Sequence, residues 1–326
     1  MQDQPTSPRT LRLNAKDNIV VAVDTVDAGA RVQGVTAGAG VPRGHKLATA
    51  KIAKGEPVLK FGQIIGFASE DILPGAHVHT HNCAFERDYA FAKDAKAEAI
   101  LPVAQRATFE GFRRAGGRTG TRNYIGVVTS VNCSATVARF IAEAVNKSGV
   151  LADYPSVDGV IPLVHSTGCG IDSDGETFEV LKRTTWGYAT NPNMAGVLVV
   201  GLGCEGFQIS RMKQAYGLQE SDVFRTMTIQ ETGGTKKTIA AGVEAVKAML
   251  PIAARAKRET IPASELVLAL QCGGSDGYSG ITANVALGEA ADILVRHGGT
   301  ACLSETPEIY GAEHLLTRRA ATREVE

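Results

Sequence analysis

Between residues 125 and 308 one layout occurs six times: a short apolar run, a turn of glycine and small polar residues, then a stretch with helical spacing. Residues 125–131 (IGVVTSV) run into Asn132-Cys133-Ser134, residues 157–164 into His165-Ser166-Thr167-Gly168-Cys169-Gly170, and residues 195–200 into Gly201-Leu202-Gly203-Cys204-Glu205-Gly206. Residues 224–229 lead to Gln230-Glu231-Thr232-Gly233-Gly234, residues 266–270 to Gln271-Cys272-Gly273-Gly274-Ser275-Asp276, and residues 299–303 to Ser304-Glu305-Thr306-Pro307-Glu308. Short continuous apolar runs mark strands buried on both faces. Their alternation with helices constrains the chain to a parallel sheet with helices on both sides. Ligands of such sheets bind beyond the carboxyl ends of the strands. Cysteine, histidine and carboxylate side chains concentrate in these six turns, so one active-site rim is expected along that edge.

The front of the chain has a different rhythm. After a polar tail at residues 1–10, residues 11–82 carry short β-type runs (18–26, 47–52, 58–61, 64–67) punctuated by glycines, which implies a small, turn-rich β domain. It closes on HVHTHN, in which His77, His79 and His81 sit two apart; on a strand that spacing sends three imidazoles to one face. With a carboxamide beside them, imidazoles suit a divalent ion such as Fe²⁺ or Mn²⁺, the alternative being a solvated polar strand. Residues 83–110 are rich in Ala, Lys and Glu and are expected to be a linker.

Charge excludes one class of function. Lys and Arg total 34, as do Asp and Glu, so no basic surface for nucleic acid shows in the count. No run reaches the ~18 apolar residues of a membrane span. No apolar signal segment precedes residue 11, and the six cysteines, 30 to 68 residues apart, contain no CxxC pair. A cytoplasmic protein with free thiols is expected. GLGCEG at 201–206 has the G-x-G-x-x-G form but lacks an acidic ribose partner at the expected offset, so no nucleotide is expected. Cysteines at four strand ends invite an iron–sulfur cluster. Their spacing matches no cluster signature, and pocket lining is the expectation. Arg113, Arg114, Arg118 and Arg122 gather before the first strand, as an acid-binding fork or a solvated loop. Glu305 and Glu308 read as ligands, bases or helix caps.

GTRNYIGVVTSVNCS, HSTGCG, VVGLGCE, QCGGSDGYSGITAN and SETPEIYGAEHLLTRRA, with HVHTHN and the internal Gly44-His45-Lys46, together resemble the altronate/galactarate dehydratase family from about residue 14 onward. The resemblance implies an α/β protein: an N-terminal SAF-like, β-clip-like domain over 11–82, the linker 83–110, and a Rossmann-like parallel α/β region over 111–326. It also implies that the family's C-terminal region is missing. The implied activity is that of a metal-dependent, usually Fe²⁺-dependent, hydro-lyase that turns a sugar acid into a 2-keto-3-deoxy acid. On that frame His79 and His81 are expected at the metal, and Lys46, Arg118, Arg122 and Ser275 at the substrate. Proton work falls to His165, Glu205, Asp276 or Glu305, whose roles the sequence does not separate. A small-molecule sugar acid is the expected partner, and a homo-oligomer is compatible with the sequence. The same frame serves sulfolactate lyases, told apart by released sulfite. A non-catalytic sugar-acid binder would bind without turnover.

Overall fold

The computed structural model describes residues 7–84, 99–172, 174–274 and 276–325. Ser275 and half of the expected linker, residues 85–98, lie outside these residues. The described chain divides into two compact units, one formed by residues 1–106 with 267–326 and the other by 107–266.

In the front of the first unit, β1 (Thr10–Leu11), β2 (Ile19–Ala22), β3 (Lys46–Ala48) and β6 (His77–Val78) form an antiparallel sheet in the order β1-β2-β3-β6. A second antiparallel sheet joins β4 (Pro57–Lys60), β5 (Gln63–Ala68) and β7 (Cys83–Ala84). Strand alternation explains the core. Ile19 and Val21 pack with Ile52, Val58 and Ile72, whereas Val20 and Ala22 pack with Val26, Val41 and Leu47 on the other face. Both faces of β2 are therefore covered, and all four of its residues are buried.

The second unit opens with β8 (Thr108–Arg113), which pairs antiparallel with β9 (Thr119–Gly120) and with β14 (Glu259–Pro262). Its centre is a parallel sheet of β10 (Tyr124–Thr129), β11 (Gly159–Leu163), β12 (Met194–Gly201) and β13 (Phe224–Thr228). Helices α1 (Ala135–Lys147) and α4 (Thr235–Ala253) cover one face, where Ile141, Val145, Val246 and Met249 meet Ile125, Val127, Leu198 and Val200. Helices α2 (Glu176–Ala189) and α3 (Ile209–Tyr216) cover the other, where Phe178, Leu181 and Met212 meet Val128, Val197 and Val199. The order is β11-β10-β12-β13, or 2-1-3-4 in order of appearance. That is a doubly wound parallel sheet, with helices on both faces. The direction of winding reverses between β10 and β12.

The last two strand–turn units do not extend this sheet. β15 (Val267–Leu270) and β16 (Thr300–Leu303) pair in parallel with each other, around α5 (Ala283–Arg296), and belong to the first unit. The apolar run at 266–270 is not buried on both faces, since Val267 is 66% exposed. Apolar content alone does not distinguish a central strand from one strand of a two-stranded sheet. Within the first unit this segment leans on the front β elements: Tyr278 Oη donates to the Val23 carbonyl at 2.6 Å, and Lys60 Nζ to that of Gly280 at 3.2 Å.

Candidate active site

HVHTHN is a strand end followed by a turn, not a strand throughout. His77–Val78 pairs with β3, placing His77 opposite Leu47. Asn82, 4% exposed, then folds the chain back. The His79 N–H donates to Asn82 Oδ1 at 3.0 Å, and Asn82 Nδ2 donates to the His77 carbonyl at 3.0 Å. The carboxamide, expected beside a metal, instead pins the turn that spreads the imidazoles.

The result is a patch of four imidazoles, one of which the spacing argument missed. His45 Nδ1 lies 2.9 Å from His77 Nε2. The His45 ring stacks on His79 with centroids 4.8 Å apart, and His77 and His81 stand 5.5 Å apart. His45 immediately precedes β3, the strand that pairs with β6, so cross-strand pairing brings it in from 32 residues away. Burial first, then the neighbouring His45, His81, His79 and Lys46, holds His77 below the usual imidazole pKa. His79 is lowered by burial and by His45, Lys46 and His81. Both are kept neutral, which is the ligand form. Two imidazoles bound cis to one ion at ~2.1 Å sit about 3 Å apart. The His45–His77 pair is hydrogen-bonded, so the shared proton must leave and the rings turn before both can hold one ion. His79 and His81, the expected pair, belong to the same patch, with His79 Nδ1 3.0 Å from Thr80 Oγ1.

The charge of Lys46 acts on His77 and His79, and Lys46 in turn acts on Lys60. Burial lowers the pKa of Lys46, partly countered by Cys83. Burial and then Lys46 lower that of Lys60, countered by Asp17. Amines and imidazoles together make a patch suited to an anion that can enter it.

The expected rim in the second unit is largely self-engaged. Nε2 of His165 donates to the Thr129 carbonyl at 3.0 Å, and its Nδ1 accepts from the Thr167 N–H at 3.3 Å. Glu205, 6% exposed, accepts from Ser130 Oγ at 2.6 Å, Leu202 N–H at 3.1 Å and Gly203 N–H at 2.6 Å. Burial raises its pKa, but these hydrogen bonds outweigh it and hold the carboxyl below its usual range. Glu205→Gln is expected to cost about 2 kcal/mol in urea unfolding, because an amide places N–H where donors already point. Arg118 donates to the Thr190 carbonyl, and Arg122 Nη1 lies 3.6 Å from Asp158 Oδ1. Both precede β10, at the amino end of the sheet, away from the strand-end turns. A cavity of about 340 Å³ beside His165 is lined by Leu163, Leu181, Tyr188 and other mainly apolar groups, a poor match for a polyhydroxy acid.

In the first unit, Asp276 caps its own turn, accepting from Tyr278 N–H at 2.7 Å and Ser279 N–H at 3.1 Å. Glu305 accepts from the Cys272 N–H at 2.7 Å, and one ligand atom each from Cys272, Glu305 and Glu308 lies within 4.8 Å of the others. No helix among the described residues is long and apolar enough to cross a membrane.

Comparison with known proteins matches three family models in succession: the altronate/galactarate dehydratase SAF domain at residues 8–86, the second domain of D-galactarate dehydratase/altronate hydrolase at 111–254, and the D-galactarate/altronate dehydratase C-terminal model at 263–326. The last begins near the 266/267 boundary between the two units. The chain is 35% identical to an altronate dehydratase of Bacillus subtilis over 97% of its length, covering 63% of that protein. It is 36% identical to an altronate dehydratase of Escherichia coli, covering 94% of the chain and 62% of the relative. Against a galactarate dehydratase (L-threo-forming) of Escherichia coli the figures are 34%, 99% and 64%. The chain thus spans less than two thirds of the length of these relatives.

Proposed function

The chain belongs to the altronate/galactarate dehydratase family, and from that premise we propose that it removes water from a hydroxylated sugar acid at the patch of His45, Lys46, Lys60, His77, His79 and His81. The observation that carries this reading is the four gathered imidazoles, with one nitrogen pair 2.9 Å apart and the charge of Lys46 acting on His77 and His79. Fe²⁺, or Mn²⁺ in its place, would supply Lewis acidity toward a carboxylate and its neighbouring hydroxyl. His45 and His77 would hold it, with His79 and His81 completing the imidazole set.

The chain's own groups divide the remaining work. Lys60 holds the substrate carboxylate by charge and hydrogen bonding. Lys46 Nζ, whose burial favours the neutral amine, takes the C2 proton. The proton that Lys46 takes from C2 is then passed to the departing 3-hydroxyl, which leaves as water. His165 and Glu205 act as positioning residues that fix the turns of the second unit. The product is a 2-keto-3-deoxy acid.

The test is a panel of aldonates and aldarates, headed by altronate and galactarate, incubated anaerobically with Fe²⁺ and scored for keto-deoxy acid. Formation of that product from at least one acid is expected. Binding without turnover would make the chain a sugar-acid binder, and sulfite released from sulfolactate would move it to the sulfo-lyases. The rate should also hold up on mild acidification. His77 and His79 protonate only below the usual ~6.5, so the acid limb of the pH–rate profile is expected below that value. Stability follows the same sign. The unfolded chain protonates these rings first, so stability falls as pH drops below ~6.5 and is regained as pH rises.

A further inference from the structure

Three of the six cysteines gather at the carboxyl ends of three neighbouring strands of the second unit, and the dehydration proposed above uses none of them. Cys133 follows β10, Cys169 follows β11 and Cys204 follows β12. β10 pairs with both other strands, so the three turns emerge side by side. They are also tied together. The Asn132 N–H donates to the Thr167 carbonyl at 2.8 Å, Ser134 Oγ donates to the Val200 carbonyl at 2.7 Å, and Ser130 Oγ donates to Glu205. Glycines with left-handed φ flank two of the cysteines, Gly168 (+102°) and Gly170 (+69°) around Cys169 and Gly203 (+122°) before Cys204. A Cβ on Gly168 would come within 3.0 Å of the Ser130 carbonyl, so glycine is what lets the turns close up.

We propose that Cys133, Cys169 and Cys204 bind an iron–sulfur cluster through three thiolates, leaving one iron without a protein ligand. Burial first, and then Cys169 and Cys204, raise the Cys133 thiol above its usual range, so the three thiols act on one another. All three thiols are exposed. Three solvent-facing thiols at one edge are an oxidation liability unless they are ligands. The position is where a doubly wound sheet binds its ligand: Cys133 and Cys204 flank the crevice at which the winding reverses. One tetrahedral ion needs closely converging sulfurs. Among the described residues, the group whose ligand atoms all lie within 4.8 Å of one another is Cys272–Glu305–Glu308, not these three. Three thiols on adjacent strand ends suit a multi-iron cluster, which takes one thiolate per iron. Ligands 36 and 35 residues apart escape any linear signature, because parallel pairing rather than a loop assembles them.

The test is anaerobic reconstitution of the full chain with Fe²⁺ and sulfide, followed by iron and sulfide analysis, visible charge-transfer absorbance and electron paramagnetic resonance after dithionite reduction. About four iron and four sulfide per chain, beyond the single iron held at the imidazole patch, are expected with broad visible absorbance. Cys133→Ser, Cys169→Ser and Cys204→Ser should each remove most of the absorbance, while Cys302→Ser should leave it unchanged. The proposal is overturned if sulfide is not incorporated, if the three serine variants keep the full signal, or if a Cys133–Cys169 disulfide forms instead. It stands apart from the imidazole site. His45→Ala should leave the absorbance intact, so failure of one site is distinguishable from failure of the other.

Discussion

Lys46→Met is expected to lower the rate of keto-deoxy acid formation about a thousandfold, the scale on which a positioned general base acts. Methionine keeps the apolar stem and removes the amine. Because burial already lowers the pKa of that amine, its loss also removes a desolvation penalty. The urea midpoint of the variant should therefore be equal to or above that of the parent chain at neutral pH, while KM for the sugar acid changes little. Steady-state kinetics on the most active acid, with a parallel unfolding curve, checks both parts. A variant within tenfold of the parent would remove Lys46 from the proton transfer.

Gly75→Ala should cost at least about 3 kcal/mol, the sum of left-handed strain and a hard clash. Gly75 sits at φ +86°, and a Cβ there would fall 1.9 Å from the Thr36 carbonyl oxygen, a backbone atom with nowhere to go. Its N–H donates to the Ala48 carbonyl at 2.8 Å and its carbonyl accepts from Gly38 N–H at 2.9 Å. Those bonds seat the segment that delivers His77 beside His45. The same variant should lose Fe²⁺ affinity along with stability. Thermal unfolding and iron titration read the two effects, and a fall in melting temperature of a few degrees or less would contradict the geometry.

The parts of this fold that could be read from the sequence are those where periodicity and burial agree. Residues 195–200 are apolar throughout because β12 is central and covered by helices on both faces, and the sheet and its four helices follow from such runs. The run at 266–270 looks alike but forms one of only two paired strands, with Val267 exposed. Strand partners are long-range choices that composition does not encode. The imidazole patch was half legible. HVHTHN announced three histidines by spacing, whereas His45 joined them only through the pairing of β3 with β6. Arg118 and Arg122 were attractive as charges, yet their place before β10 puts them at the other end of that sheet. Glu205 and His165 stood in the right turns, but an acceptor close to backbone N–H groups is used by the turn itself.

The most direct measurement is anomalous diffraction at the iron edge from crystals of the chain soaked anaerobically with Fe²⁺ and galactarate. The account expects an iron peak bonded to His45 Nδ1 and His77 Nε2, with the sugar-acid carboxylate beside Lys46 and Lys60. Iron confined to Cys272, Glu305 and Glu308, with the four imidazoles free of metal and substrate, would contradict it.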